Sequence, residues 1–196
     1  MSTIISPFEY VTVPIAIVLG MGITRLVSGL TSLVHYSERV KLYWPHLILI
    51  LLVLIIHVQA WWDTYSMLHD RWRLPVFLFI ILYSANLYLL VSILFPPKFR
   101  GKVIDLKVFY YDNFRRIYLF GISLDVLAIL KNFIIGDVPL AQQLLQFFVL
   151  SVLLFIVITN SKNEIMHKVV TATLLLIAII FMTLTWNIYQ IEDKMY

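Results

Sequence analysis

The sequence predicts an all-α fold, a polytopic membrane protein built as a six-helix transmembrane bundle, and three observations carry that expectation. Six apolar runs of about 20 residues or more, the length a helix needs to cross the hydrocarbon core, fill most of the 196 residues. Hydrophobic residues make up 61% and charged residues 13%, against about 45–50% and about 25% in soluble domains. The runs are also continuous, as in Leu47 to Ile56, where the strands of a membrane β-barrel would alternate apolar and polar residues. Together they give one transmembrane domain over residues 1–196, with spans near 8–34, 44–67, 74–95, 116–135, 140–159 and 169–189.

Met1 to Tyr10 contain no Lys or Arg, so the basic start of a cleavable signal is missing and the first span is expected to be retained. That span holds Gly20, Gly22, Arg25 and Gly29. The glycines read as helix-packing positions, because small residues let helices approach closely, and Gly22 with Gly29 would allow a homo-oligomer. Arg25 lies ten residues from His35, about 15 Å from that end of the span at the helical rise. Span two carries His57, Gln59 and Asp63; Gln59 and Asp63, four apart, share a face, and His57 points elsewhere.

Span three is uniform apart from Ser84 and Asn86. The connection from Pro96 to Asn113 is expected to be a short amphipathic segment on the inner membrane face between helices three and four, held by anionic headgroups. Helical spacing (Val103, Leu106, Tyr110) and strand alternation (Ile104, Leu106, Val108, Tyr110) both fit it, so periodicity leaves its local structure open. Its basic residues would also let 98–116 dock a membrane or cytoplasmic protein partner. Span four carries Asp125, nine residues from Arg116 and so about 13 Å from the inner end of the expected span. Opposite charges at matched depth predict an Arg25–Asp125 pair. Lys131 follows six residues later and, with Glu9 and Asp63, would form an outer vestibule. Gln142, Gln143 and Gln146 of span five, and Thr171, Thr173, Thr183, Thr185 and Asn187 of span six, would line a wet path or bond between helices.

Charge in the connections sets the orientation. Arg39, Lys41, Lys98, Arg100, Lys102, Lys107, Arg115, Arg116, Lys162 and Lys168 fall on one side; Arg71, Arg73, Lys131 and Lys194 fall on the other. The positive-inside rule then places both termini on the non-cytoplasmic side of a cell membrane. The same rule accounts for the net charge of +4, so no nucleic-acid partner is expected; the partner of the chain is the lipid bilayer.

Ionisable and amide side chains inside spans are costly and mark candidate pathways: Arg25, His57, Gln59, Asp63, Asn86, Asp125 and Lys131. They point to an ion or small-solute channel or carrier. A second reading is a membrane scaffold, sensor or effector subunit that acts through a partner. A third is an intramembrane redox or haem protein using His57 or the boundary histidines His35, His46, His69 and His167. No cofactor, metal or catalytic residue is predicted. The chain has no Cys, no Ser, His and acid trio at compatible depths, and no K+-channel filter, voltage-sensor Arg ladder or nucleotide loop.

Overall fold

The computed structural model describes residues 6–67, 72–97, 103–135 and 138–192. Six helices long and apolar enough to cross a membrane make up most of these residues, as expected for a multi-pass membrane protein. Their bounds are set by local chemistry. Helix α1 (Pro7–His35) opens with a capping box in which Ser6 Oγ accepts the Glu9 N–H at 3.1 Å and the Glu9 carboxylate accepts the Ser6 N–H at 2.8 Å. Two of the four donors left over at a helix start are satisfied this way. Pro7 fills the first position, where no N–H is needed.

A 3-10 turn and strand β1 (Val40–Lys41) lead into α2 (Trp44–Ser66), followed by α3 (Leu74–Leu94). Strand β2 (Ile104–Asp105) pairs in parallel with β1, Val40 opposite Ile104 and Lys41 opposite Asp105. This two-residue sheet ties the first interhelical connection to the third and marks one end of the molecule, called here the sheet end; the opposite end is the far end. Helix α4 (Leu106–Ile134) starts at Asp105, whose carboxylate accepts the N–H groups of Lys107 and Val108 at 2.9 and 3.2 Å. Helix α5 (Leu144–Thr159) ends at Asn160, which adopts the left-handed conformation (φ 45°) that terminates many helices. The Asn163 carboxamide then caps α6 (Glu164–Glu192) by accepting the Ile165 N–H at 2.9 Å.

The expected fourth span starts too late. Residues 106–113 are the first two turns of α4, not a separate surface segment, because the Asp105 cap starts the helix there and Leu106, Tyr110 and Phe114 bury one continuous stripe. Lys98, Arg100 and Lys102 lie outside the described residues, as do His69, Arg71 and Lys194. Residues 140–143 form a 3-10 turn before α5, and α6 begins five residues earlier than expected at its Asn163 cap.

Helix α1 packs chiefly on α3, α4 on α3 and α5, and α2 on α6. The core is a Leu-rich seam of Leu19 and Leu26 (α1), Ile50 and Val53 (α2), and Leu87, Val91 and Leu94 (α3), continued by Leu106, Tyr110 and Tyr118 of α4. Two glycines of α1 sharpen it. A Cβ on Gly29 would lie 2.5 Å from the Phe95 ring, and one on Gly22 would run into the His57 imidazole. Both positions are filled from within the chain, so neither is open to a second copy. Gly20 differs: a Cβ there would meet nothing within 4 Å, so it is not a packing position, and its carbonyl accepts the Thr24 hydroxyl at 2.8 Å.

Candidate functional site

Polar side chains inside the bundle fall into two groups. At the sheet end, aromatic rings and histidines form a hydrogen-bonded layer. His167 Nε2 bonds the Ser161 carbonyl at 2.8 Å, which makes that nitrogen the donor. Nδ1 is then an acceptor, and the Tyr110 hydroxyl donates to it at 2.6 Å. The Tyr110 oxygen faces Tyr118 at 3.2 Å, and Tyr43 and Tyr111 pair at the same distance. Burial, reinforced by that hydrogen bond, holds the Tyr43 phenol above its ordinary range. The His167 ring stands edge-on to Tyr110, Tyr111 and Phe114, with centroids 4.8–5.3 Å apart, a favourable aromatic geometry. His46, fully buried, bonds the Leu94 carbonyl at 2.8 Å and so satisfies one of the acceptors left over at the end of α3.

This layer is where the boundary histidines go. Both nitrogens of His167 are engaged, His46 is committed to α3 through one of its two, and His35 lies exposed, edge-on to Tyr36 at 4.7 Å. His167 therefore offers no free lone pair to an iron in this arrangement. Among the described residues no group of three or more His, Asp and Glu is placed to hold a metal ion.

The second group occupies the far half. Asp63 and Lys131 form an ion pair, each three residues from the far end of its helix, α2 and α4. The pair sits over a cleft lined by Ile15, Ala60, Thr64, Met67, Phe79, Ile80, Tyr83 and Ser84. Ala60, Asp63, Thr64 and Met67 follow the one-face spacing of a helix, which is why they converge. The free space in the cleft is about 20 Å3, room for about one water molecule.

Tyr83 lines the cleft; Asp125 does not. Tyr83 is nine residues from the far end of α3 and Asp125 nine from the far end of α4, so both lie about 13 Å in. The Asp125 Oδ2 is buried and has no hydrogen-bond partner among the described residues. Slightly deeper, the Asn86 amide donates to Ser123 Oγ at 2.7 Å and joins α3 to α4.

The remaining expected site residues separate. His57 donates from Nδ1 to the Val53 carbonyl at 2.8 Å, one turn back, and its Nε2 is buried, unpartnered and turned to Gly22. Gln59 is half-buried and does not line the cleft. Glu9 caps α1 and so leaves the expected vestibule to Asp63 and Lys131; the Ser6-x-x-Glu9 spacing was the signal for that role.

The expected Arg25–Asp125 pair is not formed. Among the described residues the ion pairs are Lys107–Glu164, Lys168–Glu164 and Lys131–Asp63. Because α4 starts at Leu106, Asp125 is 19 residues from the sheet end of its helix, about 28 Å, whereas Arg25 is about 15 Å from the sheet end of α1. The two charges occupy opposite halves. Arg25 is exposed on α1.

Compared with protein-family models, curated proteins and solved structures, the chain matches none.

Proposed function

We propose that the protein is a small multi-pass carrier that binds an ion or a small polar solute in the far-half cleft, with Asp125 as the exchangeable group. One observation supports this most directly: the Asp125 Oδ2, buried without a partner among the described residues at the depth of the cleft residue Tyr83, in a helix long enough to cross the bilayer. A carboxylate in that position is costly for stability alone. The Lys131–Asp63 pair at the mouth supplies a cation and a second carboxylate that can exchange partners as a solute enters. Room for one water fits an occluded state that opens on each side in turn, as carriers do, better than a standing pore. In this reading the basic sheet end faces the cytoplasm, and both termini and the cleft mouth face the other side.

The test is flux into liposomes holding the purified protein, under proton, monovalent-cation and small-solute gradients in turn. Wild-type protein is expected to raise flux under at least one gradient, and Asp125→Asn to reduce that rate by about tenfold or more while the helical circular dichroism is retained. Flux no higher than in empty liposomes under every gradient would overturn the carrier reading.

A further inference from the structure

We infer that the outward face of α1 around Arg25 docks a transmembrane helix of a partner protein that bears an Asp or Glu at the same depth. The inference is independent of the carrier reading, since Arg25 does not line the cleft.

The chain's own helices lie on the other side of α1. Leu19, Leu26 and Leu33 are buried against α2 and α3, while Ile17, Met21, Thr24, Arg25 and Ser28 are exposed. Ionisable side chains inside spans almost always face protein or a water-filled cavity. Among the described residues Arg25 makes no ion pair and lines neither pocket. Its position, about 15 Å from the nearer helix end, is far from the span ends where long basic side chains reach back to the interface. The missing surface therefore belongs to another molecule.

The charge of that surface follows from Arg25. A guanidinium presents a planar fork of donors that a carboxylate matches with two parallel hydrogen bonds. Ser28, three residues on, is small and carries a hydroxyl, so a second helix can approach closely beside it.

A second copy of this chain fits poorly. A two-fold dimer of identically inserted chains repeats one patch on both sides and sets Arg25 against Arg25. The chain's carboxylates are also placed wrongly: Asp63 is paired with Lys131, Asp125 turns an oxygen inward and lies in the opposite half, and Glu9 caps α1. Asp112 lies six residues into α4, about 9 Å from the sheet end, shallower than Arg25.

The experiment uses the full chain and a labelled polyleucine transmembrane peptide with one central Glu, together in phosphatidylcholine vesicles, with association read by energy transfer. The Glu peptide is expected to bind about tenfold more tightly than its Gln counterpart. That preference should vanish in Arg25→Gln and persist in Arg25→Lys. Equal binding of the Glu and Gln peptides, or a preference that survives Arg25→Gln, overturns the proposal. Two further outcomes also overturn it. Self-association of the protein that depends on Arg25 would give this face to a second copy, and loss of the peptide preference once anionic phosphatidylglycerol is added would give it to a lipid headgroup.

Discussion

The two polar regions of this bundle contain similar numbers of buried side chains and treat them differently. At the sheet end, the polar atoms of His167, Tyr110, Tyr118, Tyr43 and Tyr111 are hydrogen-bonded to one another or to backbone, and among the described residues His46 Nδ1 is the exception there. In the far half, Asp125 Oδ2, His57 Nε2, Trp72 Nε1 and Gln143 Oε1 are buried without partners, and the charges of Asp63 and Lys131 meet over a cleft. A satisfied network rigidifies, because losing any member leaves the others unpaired in a low dielectric. An unsatisfied group costs stability without returning any, so its presence points to function. In the proposed carrier the sheet end would be the clamp and the far half the working part.

Mutations can break or sharpen the contrast. The largest effect is expected from Asp125→Asn, which should remove about tenfold or more of the flux while leaving unfolding in detergent unchanged or slightly harder, since the buried Oδ2 has no partner to lose among the described residues. A variant that unfolds more easily and transports normally would reverse the assignment of the two regions. His167→Phe should do the opposite. It leaves the Tyr110 hydroxyl only its longer contact with Tyr118 and takes the donor from the part-buried Ser161 carbonyl, and about 1–3 kcal/mol of stability should go, read as a lower midpoint in denaturant, with flux retained by the protein that stays folded.

Gly22→Ala tests the boundary between the regions. The new methyl must displace the His57 ring against packed neighbours, at a cost of about 1–3 kcal/mol; pairing it with His57→Ala should recover most of that loss. If the double variant is no more stable than Gly22→Ala, the close approach of Gly22 to His57 is not the constraint. Lys131→Met should cost about 1 kcal/mol or less, because both side chains of its ion pair keep contact with solvent (20% and 38% exposed). Its effect should instead fall on the concentration of solute needed for half-maximal flux. The smallest effect belongs to Glu164→Gln at the sheet-end surface. Its bonds to Lys107 and Lys168 are exposed, and no change in denaturation midpoint is expected at physiological salt.

How much of this was legible in the sequence differs element by element. The spans of α1, α2 and α3 are predicted to within a residue at most of their ends, because a long apolar run can satisfy its backbone in a membrane only as a helix. The start of α4 is missed by ten residues. Lys107, Asp112, Arg115 and Arg116 lower the hydropathy of its first turns, yet a helix needs only one buried stripe, and Leu106, Tyr110 and Phe114 supply it. That one error carried into the site: counting from Arg116 put Asp125 level with Arg25, and counting from Leu106 separates them. Asp63 and Lys131 were expected near one another because both lie close to far-side span ends. Tyr83 and the Tyr110–His167–Tyr118 cluster were not singled out, since tyrosines near span ends read equally well as interfacial anchors.

The sequence by itself determined that the chain forms six helices suited to a membrane and how rare the charges within them are. These are local properties, fixed by runs of apolar side chains and by residues three or four apart. Only the tertiary structure decided which of those charges face each other, which face the interior and which face out. Rotating a helix about its axis changes no hydrogen bond of its own; the contacts of its neighbours choose the angle, and here they turn Asp125 inward, set Asp63 on Lys131, and leave Arg25 on the outside of α1.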